Sequence, residues 1–213
     1  MSYSRLKRIM DVFLALALGT LFSPVCLLTA LAIKIESPKG PVFADTPKRV
    51  GKNGRLFYAF KFRSMIPNAH HILRTDPKYR KLYRQLRQNS FKLFADPRIT
   101  RVGKFIRKYS IDEIPQLLNV FMGDMSLIGP RPYYDEELKN QQKKYPRTRE
   151  LVKLALSVRP GITGQWQVSG RSKINFDKRI EMDAHYASHI SLWYDLKILI
   201  KTPLAMLSGE GAY

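Results

Sequence analysis

The chain has 213 residues, 45% hydrophobic and 25% charged, which excludes a disordered polymer and sizes it for one domain with a modest core plus one added element. Its 37 Lys and Arg against 17 Asp and Glu give a net charge of +20, so an anionic partner is expected: nucleic acid, an anionic membrane surface or a phosphorylated substrate. The single cysteine, Cys26, excludes an internal disulfide and a cysteine-rich zinc site, and within its apolar run it reads as a small hydrophobe.

No residue between Val12 and Ile33 is charged, a stretch long enough for a membrane helix of ~20 residues. It lacks the small-residue cleavage site of a signal peptide and outruns a signal core of ~7–15 residues. Ser23-Pro24 falls in its middle, where proline removes a helical hydrogen bond and clashes with the Thr20 carbonyl, and Gly19 softens the same turn. Arg5, Lys7 and Arg8 precede the run, and Lys34 and Lys39 follow it. Basic flanks favour the cytoplasmic side, so two basic ends favour a helix that bends at Ser23-Pro24 and leaves by the face it entered. A kinked spanning helix is the alternative.

Ser37-Pro38-Lys39-Gly40-Pro41 ends the membrane element, dividing a 1–37 segment from a 38–213 domain. Asn53-Gly54 predicts a hairpin tip with a primed turn, and Leu56 to Phe62 a strand. Asn68 to Leu93 reads as basic helix with a break at Asp76-Pro77, and no site is assigned there. Ile99 to Tyr109 is amphipathic, with Arg101, Lys104, Arg107 and Lys108 against Val102, Phe105 and Ile106. It suits a membrane interface or an ordinary surface helix. Phe176 to Thr202 predicts a second long helical region with an apolar end.

Ser110-Ile111-Asp112-Glu113 has the capping-box spacing, Ser at the N-cap and Glu three residues on. Pro115 distorts or shortens that turn, because its missing N–H falls where a bond to Ile111 should start. Adjacent side chains on a helix point ~100° apart, so the two carboxylates suit distinct roles: one nucleophile, and one group handling a metal or a proton. Gly123 suits a helix C-cap, and Pro130 and Pro132 hold Arg131 on a stiff backbone, fit for bidentate binding of phosphate. Arg159-Pro160-Gly161-Ile162-Thr163-Gly164-Gln165 and Ser169-Gly170-Arg171 form a second glycine- and arginine-bearing region. Neither a P-loop nor a dinucleotide fingerprint occurs, and no nucleic-acid module is recognisable. His185 and His189 lack the glutamate of a zincin and read as surface or packing residues. A basic, non-catalytic membrane-associated binding protein is the competing reading.

Taken together, Ser23-Pro24, Gly40-Pro41-Val42-Phe43, Lys61-Phe62-Arg63-Ser64-Met65, Arg98-Ile99-Thr100-Arg101-Val102-Gly103, Ser110 to Leu117, Gly123 to Pro132, Pro160 to Gly164 and Gly170-Arg171 run in order along nearly the whole chain. They resemble the bacterial sugar transferase family, the monotopic polyprenyl-phosphate phosphoglycosyl transferases. The resemblance implies an α/β, mostly α fold: a re-entrant membrane helix hairpin, a compact cytosolic catalytic domain, interfacial amphipathic helices and a small β-hairpin. It implies that Asp112 attacks a UDP-sugar, releases UMP, and passes the sugar-phosphate to polyprenyl phosphate. Glu113 would be its partner, the pair would hold Mg2+, and Arg131, Arg171 and Arg63 would bind phosphate. Thr163, Gly164 and Gln167 fall in the segment associated with the nucleotide. The place implied is the cytosolic face of the bacterial inner membrane, on anionic phospholipid. The sugar, the pathway and the oligomeric state, a homodimer among the options, stay open. Pro47, Tyr109 and His189 depart from the family pattern.

Overall fold

The structure is a computed structural model that describes residues 3–88, 96–170 and 174–207. Ser23-Pro24 divides the apolar run into α1 (Tyr3–Leu21) and α2 (Ser23–Glu36), whose axes bend by 58° at the break. The cause is local. Pro24 has no N–H for the Thr20 carbonyl, and the Ser23 hydroxyl donates to that carbonyl at 2.8 Å instead. Helical bonding resumes with Cys26 N–H to Phe22 O at 2.9 Å. No single described helix is long and apolar enough to cross a membrane; α1 and α2 meet that length and hydropathy only as a bent pair.

Helix α1 begins well before the uncharged run because its first turns dock on the rest of the protein. Lys7, Asp11 and Ala15 share one face at helical spacing and are buried, whereas Ile9, Phe13 and Leu16 are exposed. The buried face is polar. Asp11 accepts from Ser126 Oγ at 2.7 Å and Leu127 N–H at 3.1 Å, and Lys7 Nζ donates to Asp195 at 2.7 Å.

Strands β1 (Arg49–Val50) and β2 (Leu56–Phe57) pair antiparallel around the predicted tip. Asn53 and Gly54 both take positive φ, 55° and 81°, as a primed turn requires. The predicted strand through Phe62 pairs as β2 only over its first two residues. Beyond it the buried Asn119 amide takes the place of a neighbouring strand, accepting from Phe60 N–H and donating to Tyr58 O. Next come α3 (Ala69–Thr75), a 3-10 turn after the Asp76-Pro77 break, and α4 (Arg80–Gln88).

Helix α5 (Arg101–Lys108) is capped twice: Thr100 Oγ1 accepts from Gly103 N–H, and Glu36 at the end of α2 accepts from Arg101 and Val102 N–H. Its basic last turn complements the helix dipole. Helix α6 (Gln116–Met122) ends at Gly123 with φ 93°, the expected left-handed cap. Strand β3 (Ser126–Ile128) pairs parallel with β4 (Gly161–Thr163), with α7 (Asp135–Lys144) and α8 (Arg149–Ala155) between them in sequence. After β4 come α9 (Gln165–Val168), α10 (Phe176–Ser188) and α11 (Leu192–Leu207). The predicted single region from Phe176 to Thr202 is thus two helices, separated at His189 to Ser191. The fold is mostly helical with two small sheets among the described residues. One core cluster joins Ala15, Phe57, Val120, Met125, Tyr186 and Ile198, so α1, β2, α6, α10 and α11 pack together; a second joins Val50, Tyr133, Val152 and Phe176.

Candidate active site

Asp112 and Glu113 lie in a 3-10 turn, Ile111–Glu113, between α5 and α6. The capping-box expectation fails here. Ser110 sits at φ 56° in the left-handed region, its side chain makes no cap bond, and α6 starts only at Gln116, after Pro115. The distorted turn expected from Pro115 is present. A non-glycine residue at positive φ is a strained position, held here by what surrounds it. Phe62 N–H donates to the Asp112 carbonyl at 3.0 Å, tying the turn to the extended chain that carries Lys61. Lys61 Nζ then reaches Glu113 Oε1 in a short ion pair.

The two acids differ in setting. Asp112 is 8% exposed, and burial raises its pKa to about 6; the Glu113 charge adds to the rise, while Lys61 and Arg107 oppose it. Burial also works to raise Glu113. There the charge and hydrogen bond of Lys61, with Arg131 and Arg49 behind, outweigh it and hold the carboxyl below its usual range. At neutral pH Glu113 is an anion, and Asp112 is mostly one.

Both acids line a cavity of about 640 Å³, with Lys61, Arg49, Arg107, Arg131 and Arg179 also in its wall. The Arg131 guanidinium lies 4.8 Å from the Trp166 ring centre, and that of Arg179 5.3 Å from it. Arg131 N–H donates to Asp183 Oδ2 at 3.3 Å, which fixes the start of the Arg131 side chain. Arg49 donates to Pro132 O and covers the Tyr134 ring at 3.4 Å. Several buried donors of these residues, Arg131 Nε, Arg49 Nε and Arg179 Nη2, have no acceptor among the described residues. Buried donors are rarely left so, and an anionic ligand in the cavity would supply the acceptors.

Of the residues named from the sequence, Asp112, Glu113, Arg131, Arg63 and Gln167 come together on this cavity. Arg63 is largely committed elsewhere, donating to Ser37 Oγ and Ser37 O at the end of α2. Gln167 donates to Ile162 O and keeps a buried, unpartnered Oε1. Thr163 and Gly164 are not in the cavity wall. Thr163 Oγ1 bonds Thr202, and Gly164 packs so closely on Gly129 that a Cβ would lie 2.1 Å from its carbonyl oxygen. Arg171 lies outside the described residues. Lys61, Arg49, Arg179 and Trp166 carried no role in the sequence reading. For Lys61 a signal existed, the alternation of Phe60 and Phe62 with Lys61 and Arg63.

A buried carboxylate pair on an arginine-walled cavity and a bent apolar helix pair are the two features to be matched against known proteins. Residues 2–209 match the bacterial sugar transferase family, and the chain belongs to it. Among curated proteins it is similar to the undecaprenyl-phosphate galactose phosphotransferase of Salmonella typhimurium, 41% identical over 208 residues, which cover 98% of this chain and 42% of that protein. It is 38% identical to the UDP-glucose:undecaprenyl-phosphate glucose-1-phosphate transferase of Caulobacter vibrioides, covering 97% of this chain and 72% of that one. To the exopolysaccharide production protein ExoY of Rhizobium meliloti it is also 38% identical, covering 97% and 88%. The chain thus spans less than half the length of some of these relatives and most of others.

Proposed function

We propose that this chain transfers a sugar-1-phosphate from a UDP-sugar to polyprenyl phosphate at the cytosolic face of the bacterial inner membrane, the first step in building an exopolysaccharide, O-antigen, capsule or related glycan. The observation that carries the reading is Asp112, buried in an arginine-walled cavity beside a Glu113 already neutralised by Lys61.

In the first step an Asp112 carboxylate oxygen attacks the β-phosphorus. The bond from that phosphorus to the bridging oxygen breaks, and UMP leaves with the electron pair. In the second, an oxygen of the lipid phosphate attacks the same phosphorus and releases Asp112 as carboxylate. Arg131 and Lys61 stabilise the charge on the transferring group. Buried donors without acceptors, on Arg131, Arg49 and Arg179, suit an anionic pyrophosphate. Asp112 and Glu113 also fit Mg2+, a hard ion that takes one or two carboxylates and completes its shell with substrate phosphates and water. When bound, it would neutralise charge between the anionic nucleophile and the pyrophosphate.

The membrane reading rests on the exposed side chains. Phe13, Leu27 and Ile35 are each at least 70% exposed along the α1–α2 pair. Phe105 on α5, Phe121 and Met122 on α6, and Trp193 and Leu204 on α11 are exposed as well. So much exposed apolar area calls for a partner, and lipid fits it, with α1–α2 as a re-entrant hairpin and the other helices at the interface.

The test is Asp112→Asn in membranes or detergent, with UMP release from UDP-sugars as readout. UMP release and the covalent phosphosugar adduct should both vanish while membrane binding persists. An adduct that forms on another side chain, or undiminished UMP release, would remove Asp112 from the role.

A further inference from the structure

The wall of the cavity contributed by α3 and α4 differs in chemistry from the wall at the dyad. Asn68, His70, Leu73 and Tyr83 line it, and its two arginines, Arg74 and Arg98, are each paired with a carboxylate, Glu136 and Asp96. Asn68, at φ 55°, turns the chain into α3, and Ala69 and Leu73 anchor the helix by burial. Arg98, buried in the same wall, holds this turn. Its guanidinium clamps Asp96 and donates to Ala69 O at 2.8 Å, and its carbonyl accepts from Ile66 N–H. His70 is therefore presented from a fixed helical turn.

The imidazole is half-buried, and among the described residues it has no hydrogen-bond partner. Burial, with Arg98, Arg49 and Arg74 close by, pushes its pKa down to about 4, so at neutral pH it is uncharged. A neutral imidazole offers one donor and one acceptor and carries no charge, so it can both give to and accept from a hydroxyl, which an arginine or lysine cannot. Asp45 also lines the cavity, and Glu136, paired with Arg74, adds a second carboxylate to this wall. Carboxylates repel phosphate and accept readily from hydroxyl groups. This wall suits the uncharged end of a substrate whose charged end sits among Arg131, Arg49 and Lys61.

We propose that His70 marks the sugar subsite: its ring hydrogen-bonds a hydroxyl or acylamino group of the hexose and so helps set which UDP-sugar is accepted. The proposal rests on the UDP-sugar reading above.

The experiment uses the full chain in detergent or nanodiscs, with UMP release measured over a panel of UDP-sugars for wild type, His70→Phe and His70→Gln, and with UDP as a competitive inhibitor. His70→Phe should raise KM for the preferred UDP-sugar about tenfold, the loss of one well-placed hydrogen bond, and flatten the ranking among sugars. UDP inhibition should stay unchanged, and His70→Gln, which keeps a donor and an acceptor, should recover part of the loss. An unaltered KM and ranking in both variants would overturn the subsite while leaving the transferase reading intact. A parallel loss of UDP affinity would place uridine here and overturn it too. Should wild type release no UMP from any UDP-sugar, the parent reading itself would be refuted, and the subsite with it.

Discussion

The Lys61 ammonium bonds the Glu113 carboxylate, and that contact helps separate the proton affinities of two acids adjacent in sequence. Asp112 titrates at about 6, and a nucleophile must be ionised, so the first chemical step should speed up as pH rises through about 6 and level off above it. The lipid phosphate is a monoester with its own pKa near 6. Single-turnover UMP release without lipid isolates the carboxylate, because a UDP-sugar has no such group. Lys61 lowers the pKa of Asp112, so Lys61→Met should move this limb to higher pH as well as slow the step. A limb that stays in place would show that Lys61 does not tune the nucleophile.

The same burial predicts a stability effect of opposite sign to the activity effect. Asp112 has a folded-state pKa raised above the unfolded value, so its contribution is most favourable in acid and is lost as pH rises through about 6. Asp112→Asn removes the buried charge. At pH 8 it should stabilise the fold by ~1–3 kcal/mol, an increase of a few degrees in Tm, and at pH 4 the gain should largely vanish. Thermal unfolding of both proteins at the two pH values checks this. An equal shift at both would mean that the gain is not electrostatic.

What the sequence made legible was local. Asn53-Gly54, Gly123, Asp76-Pro77 and Pro115 each act on their own backbone through φ or a missing N–H, and each does so in the structure. The capping box misled because Ser110 has a local alternative, the left-handed turn, and because Phe62 N–H and Lys61, some 50 residues earlier in the chain, draw the acids into a different geometry. The polar face of α1 was hidden for a related reason. Lys7 read as the flank of a membrane segment and Asp11 carried no role, whereas their partners Asp195 and Ser126 are far along the chain. The resemblance set Gly164 in the segment associated with the nucleotide; what its lack of a side chain serves in the structure is the close contact with Gly129, a partner remote in sequence.

The proposed re-entrant path predicts where the two ends of the bent α1–α2 pair lie. In a chain with Cys26 replaced by alanine, single cysteines near Ser4 and near Lys39 should both react with a membrane-impermeant thiol reagent from the cytosolic side. Labelling of the two from opposite sides would rule out the re-entrant path in favour of a kinked span.

Asp11 links α1 to β3. Its carboxylate accepts from Ser126 Oγ and Leu127 N–H in β3, and that strand runs directly into Gly129, Pro130 and Arg131. Asp11→Ala would leave a buried backbone donor and a buried hydroxyl without an acceptor, and would leave Lys7 with Asp195 as its one carboxylate neighbour among the described residues. Removing one partner from a buried charged network costs ~2–4 kcal/mol. Thermal unfolding in detergent should therefore fall by several degrees for Asp11→Ala and by less for Asp11→Asn, which keeps one acceptor oxygen. Because β3 leads to Arg131, UMP release by Asp11→Ala should also drop at temperatures where the fold is intact. An Asp11→Ala protein with unchanged Tm and unchanged turnover would show that α1 is held by its apolar contacts alone and that the Arg131 loop needs no support from the hairpin.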